Sequence, residues 1–319
     1  MRHLHGELSG ALEAWCMVVF ADNARLEGSV TRRTPVFAVL TLSLFAVASS
    51  ASAQLVAAKD GPVVYGHHHL NVTSVEPHKK FFVDGLGGTA ITIGTNNLEI
   101  VRFPGVLIFF TQRAPTGGTI GTTANHIGFS VPNLRAAVDK VKANGFKMVT
   151  ATEAVGREVK DDIAGPTQPG GASIAFALGP DDVKVELVEA RQQTVPVQLH
   201  HMHFFAQQNT EMQAWYGKVF GAKPRPPAAG AAFVSSDLPG VALNFTPSPT
   251  PVVGTQGRVV DHVGFEVQNL EAFTKKLEAD GTKLERPYTK VAALDISIAF
   301  IRDPWGTYIE LTEGLSKVR

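Results

Sequence analysis

Residues 125–148, NHIGFSVPNLRAAVDKVKANGFKM, recur at residues 261–284 as DHVGFEVQNLEAFTKKLEADGTKL, with eleven of 24 positions identical and no gap. Each copy opens with alternating apolar residues, the two-residue period of a strand, then passes through Asn-Leu into apolar positions at helical spacing. Leu134, Val138 and Val141 form one stripe, and Leu270, Phe273 and Leu277 the other. Gly145 and Gly281 stop the helices where a left-handed cap is needed.

Two further segments have the same strand-helix order: YGHHHLNVTSVEPHKKFFVDGLGG from Tyr65 and LHHMHFFAQQNTEMQAWYGKVFGA from Leu199. Aligning Phe81-Phe82 with Trp215-Tyr216 places His67 opposite His201. Short strand-like runs follow each helix, among them VLIFFT (106–111), VKVELV (183–188), VALNFT (241–246) and TYIELT (307–312). Units starting near residues 65, 125, 199 and 260 thus recur at roughly 60 residues, a length suited to a β-α-β-β-β module that buries its sheet face only in pairs. The fold class expected is α+β, four such modules paired into two tandem domains, residues 54–194 and 195–319. The Gly/Pro-rich stretches 113–123 and 246–257 read as connections within each pair, and the shorter 194–198 as the join between pairs.

The chain of 319 residues is 44% hydrophobic, enough for two ordinary cores. Lys plus Arg equals Asp plus Glu at 29 each, so no field is expected that gathers nucleic acid or an anionic membrane. Arg32 and Arg33, the apolar run Val36 to Ala48 and the small residues Ala51-Ser52-Ala53 have the order of an export signal. Residues 1–53 are therefore expected to be a signal region, with a mature chain from near Gln54 that is periplasmic or secreted and has no membrane partner once cleaved. Residues 1–29 precede this signal and read as an overlong start, the true one lying close to Val30. Thr31-Arg32-Arg33 resembles a twin-arginine signal and Pro35 departs from it, which leaves either export route open. Cys16, the single cysteine, precedes the cleavage point, so the mature chain would have no disulfide, zinc-thiolate site or thiol nucleophile.

The chemistry-bearing residues fall at corresponding points of the modules. His67, His126 and Glu186 form one set and His201, His262 and Glu310 the other, each expected to hold a divalent metal ion, iron, manganese or zinc, in its own half. Glu186 and Glu310 lie in apolar, β-branched stretches where an unpaired carboxylate is costly to bury, so each needs a cationic partner. Two histidines and one carboxylate leave coordination positions open for substrate or water. Strand alternation puts His69 on the face of His67 and His203 on that of His201, as proton-transfer groups or substrate hydrogen-bond partners, while His68 and His200 point away. Tyr308 shares a face with Glu310 and offers a phenolic donor or a core ring; Lys184 holds that place in the other set. Because GPDD (179–182) stands where DPWG (303–306) does, the later set reads as the primary site. The polar segment 151–172, with Arg157 and Lys160, reads as a solvated insertion or a lid.

Over residues 63–315, NHIGFSV and DHVGFEV with VKVELVE and DPWGTYIELTE resemble the histidine and glutamate strands of the vicinal oxygen chelate superfamily, which includes glyoxalases and extradiol dioxygenases. The resemblance implies cupped half-barrels with metal ligands on first and last module strands. The fourth carboxylate ligand common in glyoxalases would fall at Phe109 and Asn244, neither of them acidic. The tyrosine before the turn in extradiol enzymes would fall at Phe300 and Phe176. The function expected is an exported metal-dependent enzyme acting on a small oxygen-rich substrate that chelates the metal through vicinal oxygens, with dioxygenase-like coordination preferred. A glyoxalase-like lyase or isomerase, and a non-catalytic binder of metal or a small molecule, are the alternatives.

Overall fold

The computed structural model describes Leu55, residues 62–227 and residues 232–318; the expected signal region 1–53 lies outside the described residues. The first module is β1 (Val63–Val72), α1 (Val75–Lys79) widened by one further turn to Gly85, β2 (Thr89–Ile93), β3 (Leu98–Phe103) and β4 (Val106–Gln112). The second runs β5 (Ala124–Val131), α2 (Leu134–Ala143), β6 (Lys147–Met148), α3 (Thr150–Glu153), β7 (Val159–Lys160), β8 (Ile163–Ala164), β9 (Ile174–Leu178) and β10 (Lys184–Glu189). The third is β11 (Gln198–Ala206), α4 (Asn209–Phe220), β12 (Lys223–Pro224), β13 (Val234–Leu238) and β14 (Val241–Pro247). The fourth is β15 (Val260–Val267), α5 (Leu270–Ala279), β16 (Leu284–Val291), β17 (Ile296–Arg302) and β18 (Tyr308–Glu313).

The α+β class and the four modules follow the sequence pattern, and two open sheets result. Their partition differs from the expected one. One sheet has the order β16-β17-β18-β15-β1-β4-β3-β2, and the other β12-β13-β14-β11-β5-β10-β9-β8-β7. The first module thus pairs with the fourth, and the second with the third, so a boundary at residue 194 cuts through both sheets. The connections explain this. The long segments 113–123 and 248–259 each carry the chain from one sheet to the other, and they hydrogen-bond to one another through Thr116 N to Gly257 O, 2.8 Å, and Thr123 N to Val253 O, 2.9 Å. The short 190–197 stays within one sheet.

The helices show why the modules need partners. Asn133 and Asn269 cap α2 and α5 by accepting from the N–H groups of Ala136 and Ala272, and Gly145 and Gly281 end them at φ +86° and +85°. Leu134, Val138 and Val141 are buried from α2; from α5 it is Leu270, Thr274 and Leu277, with Phe273 only partly covered. A single core joins both sheets, with Phe103 of β3 at 4.5 Å from Phe129 of β5 and Phe220 of α4 stacked at 4.4 Å on Phe265 of β15. The opposite, concave faces are left for polar residues, bordered by smaller apolar clusters that include Phe109 and Phe300 in one sheet and Phe176 in the other. Segment 151–172, expected as a solvated insertion or a lid, is mostly exposed and carries the β7–β8 hairpin on the edge strand β9, with Arg157 donating to the carbonyls of Gly165 and Ala172.

Candidate metal centres

The seam of each sheet is an antiparallel pair of first strands, β1 with β15 and β11 with β5. Register across the first seam sets His67 opposite Gly264, which in turn lies beside Glu310 of β18. Across the second, His201 faces Gly128, which lies beside Glu186 of β10. Neighbouring strands are about 4.8 Å apart, so a histidine and a glutamate two strands apart meet only by leaning over whatever stands between them. Glycine stands there in both sheets. A Cβ at Gly264 would lie 2.0 Å from the His67 ring, and one at Gly128 2.2 Å from the His201 ring. The glycine of the repeated H-x-G-F motif is therefore the vacancy into which the ligand from the other module leans.

The next row of each sheet supplies the second histidine. His69 pairs with His262, and His203 with His126. Two buried clusters result, one of His67, His262 and Glu310, the other of His126, Glu186, His201 and His203, the donor atoms in each lying within 4.8 Å of one another. The six expected ligands are thus all brought to clusters, but the sets expected from the two halves are exchanged: His67 joins His262 and Glu310, and His201 joins His126 and Glu186. The cause is the nested pairing of modules, which puts one first-strand histidine from each half on the other half's glutamate. The expectation that one site of His201, His262 and Glu310 would be primary falls with it.

At the Glu310 site, His67 Nε2 and His262 Nε2 lie 2.8 and 2.9 Å from Glu310 Oε2. His262 Nδ1 donates to Asp261 Oδ2 at 2.8 Å, and Asp261 is itself held by the Gly257 N–H and the Asn71 side chain. This fixes the His262 tautomer and turns Nε2 inward. Burial pushes His262 down, but hydrogen bonds to Asp261 and Glu310 outweigh it and raise its pKa to about 9. Burial also pushes the Glu310 carboxyl up, and the hydrogen bonds and charges of His262 and His67 more than reverse this, holding it well below the usual carboxylate range.

At the Glu186 site, His126 Nε2 and His201 Nε2 lie 2.8 and 3.2 Å from Glu186 Oε2 and 3.3 Å from each other. The tautomer of His126 is set by a neutral partner, with Nδ1 donating to Asn125 Oδ1 at 2.9 Å. Burial then prevails over Glu186 and leaves the His126 pKa near 4. Burial raises the Glu186 carboxyl, yet His201 and His126 bring it well below its ordinary value.

These donor sets fit a divalent cation. At the Glu186 site two imidazole nitrogens face each other across 3.3 Å beside one carboxylate oxygen, all three residues being buried. With Nδ1 of His126 donating to Asn125, its inward Nε2 carries a lone pair, and convergent lone pairs in a buried site are relieved by a shared cation.

Sequence reasoning missed several supports. His200 was expected to point away, yet its Nδ1 lies 2.8 Å from His201 Nδ1. The register of β11 slips between Leu199 and His201, a bulge that brings His200 round to His201. The matching slip in β1 falls at Gly66, which has no side chain, and His67 Nδ1 is buried without a partner among the described residues. His68 faces the core by alternation from His67, and the bulge brings Tyr65 to the same side, 3.2 Å away. Asp261 and Asn125, each directly before a ligand histidine, were legible as the variable first letter of the repeat.

The other candidates line the clusters. His69 bonds Thr111 Oγ1 at 2.7 Å and its ring lies 4.6 Å from that of His262, with burial first and the His262 charge second lowering its pKa to about 3. Tyr308 is stacked on Phe300 at 4.9 Å and meets His262 edge-on. Lys184 forms a buried ion pair with Glu153 of α3.

The fold and the sites define a class: paired β-α-β-β-β modules whose seam strands and last strands converge two histidines and a glutamate. Residues 198–311 match the family model of the Glyoxalase/Bleomycin resistance protein/Dioxygenase superfamily. That match falls on the third and fourth modules and agrees with the resemblance carried by the histidine and glutamate strands. Lactoylglutathione lyases of Escherichia coli O157:H7 and Shigella flexneri are 38% identical to it over 72 residues, 23% of this chain and 44% of theirs. The match thus spans less than half the length of these curated relatives. Glyoxalase I from Zea mays has the same fold at a TM-score of 0.61 and 16% identity, covering 80% of this chain and 94% of its own. A putative dioxygenase from Bacillus subtilis subsp. subtilis str. 168 matches at 0.56 and 12%, covering 78% and 84%.

Proposed function

We propose that this chain is a metal-dependent enzyme that binds a small oxygen-rich substrate through two neighbouring oxygens at the Glu310 site, with the coordination of a dioxygenase. The observation that carries this is the donor set there: two histidines and one glutamate converge, and the place of a fourth carboxylate is taken by Phe109, its ring 5.1 Å from that of His67. A divalent ion held by three protein ligands supplies a Lewis acid with positions left open for a chelating substrate.

Within the site, Phe109 and Phe300 border the histidines and keep water from the bound oxygens. Neutral His69, fixed by Thr111, is placed to accept a proton or hydrogen bond from a substrate hydroxyl beside His262. The Tyr308 ring forms the remaining wall. A lyase or isomerase acting on a thiol adduct is the second reading, supported by the 38% identity to lactoylglutathione lyases.

Anaerobic reconstitution with iron(II), followed by oxygen uptake on catechols and aliphatic diols, tests the first reading. Isomerisation of a hemithioacetal without oxygen uptake would replace it with the second, and stoichiometric binding without product would make the chain a binder. Export is part of the proposal, supported by the charge-apolar-small order of residues 32–53, and N-terminal sequencing of the native protein for a start near Gln54 tests it.

A further inference from the structure

The two clusters differ in one donor. His203 belongs to the Glu186 cluster, but its counterpart His69 does not belong to the Glu310 cluster. His203 Nδ1 lies 3.1 Å from His126 Nε2, inside the convergence of His126, His201 and Glu186, while its Nε2 is engaged by Thr246 Oγ1 at 2.7 Å. With Nε2–H donating to Thr246, Nδ1 presents a lone pair to the centre of the cluster. His69 makes the same bond, to Thr111, but the only side-chain hydrogen bond it forms among the described residues is that one.

The neighbour on the parallel strand accounts for the difference. Phe109 pairs with His69 and stacks on its ring at 5.7 Å and 21°, holding the imidazole flat. Asn244 pairs with His203, and its side-chain oxygen accepts from Ser235, so the residue in the place of Phe109 puts no stacked ring on His203, which tilts 56° to His126. Phe233 meets it edge-on at 5.1 Å and shuts off the outer side.

We propose that His203 is a fourth protein ligand at the Glu186 site, making it a closed His3Glu centre that takes a tetrahedral ion of the zinc type and leaves no position for substrate. The Glu310 site, with three ligands, is the open one. This rests on the reading that both clusters hold metal, and the test separates the two. In the full-length chain, Glu310→Ala leaves only the Glu186 site and Glu186→Ala only the Glu310 site, and each is titrated with cobalt(II) and zinc(II). The chain with only the Glu186 site is expected to show the intense visible bands of four-coordinate cobalt, and the other the weak bands of higher coordination. Adding His203→Gln should weaken zinc binding at the Glu186 site by about tenfold or more and abolish those bands, whereas His69→Gln should leave affinity at the Glu310 site unchanged. If His203→Gln changes neither affinity nor spectrum, the fourth ligand is refuted while the metal reading stands. If neither single-site chain binds metal, both fall. X-ray absorption of the zinc-loaded Glu310→Ala chain needs no change at residue 203 and should count three imidazoles; two would overturn the assignment.

Discussion

The two candidate metal clusters are built on the same register, row for row, yet differ in what holds their histidines. At the Glu310 site the middle histidine leans on a carboxylate, Asp261, and the outer nitrogen of the first-strand histidine has no partner among the described residues; at the Glu186 site the corresponding partners are the neutral Asn125 and the imidazole of His200. The two histidines and one glutamate common to both clusters therefore sit in unlike surroundings, with His262 raised to about 9 and His126 lowered to about 4. Position and basicity are thus separable: the sheet fixes where the donors stand, and the residue before each ligand fixes how strongly one of them donates.

The comparison is broken most severely by testing which residues share an ion. His67→Ala with His262→Ala should remove one equivalent of metal by elemental analysis, whereas His67→Ala with His126→Ala should remove both. The opposite result would return the ligands to sets by half. Next in size, Gly264→Ala and Gly128→Ala each put a methyl group into the space of a ligand imidazole. Each should expel the ion of its own sheet and cost about 1–3 kcal/mol in denaturant unfolding of the metal-free chain.

Exchanging the orienting residues sharpens the contrast. Asp261→Asn should weaken zinc at the Glu310 site by about 10- to 100-fold, and Asn125→Asp should strengthen it at the Glu186 site, both measured by competition with a chelator in single-site chains. The smallest effect concerns the helices that follow these strands. Asn133→Ala should cost about 1 kcal/mol through the lost cap. Asn269→Ala should cost about 1–2 kcal/mol more, because Asn269 holds φ +58° where alanine is strained, and thermal melts of the two variants would rank them.

Much of this was legible. The repeat gave the modules, the helix stripes and the left-handed caps, since these depend on contacts within some 25 residues. The ligand residues were legible too, because a buried glutamate in an apolar strand and a histidine at the same point of every module have few structural uses. Burial alone would have misled: Glu266 is also a buried acid of the repeat, but it accepts from Thr312 and the N–H groups of Gly314 and Ser316, and ties down the chain's end. His200 was misjudged because alternation assumes an unbroken strand, and the bulge at that residue reverses it.

The sequence by itself determined the unit of the fold and the donors of its chemistry, both properties of local pattern. Only the tertiary structure decided which donors meet. All four modules present the same first-strand edge with the same alternation, so nothing local says which edge finds which. The two long connections that run side by side between the sheets settle the pairing, and with it bring His67 to Glu310 and His201 to Glu186.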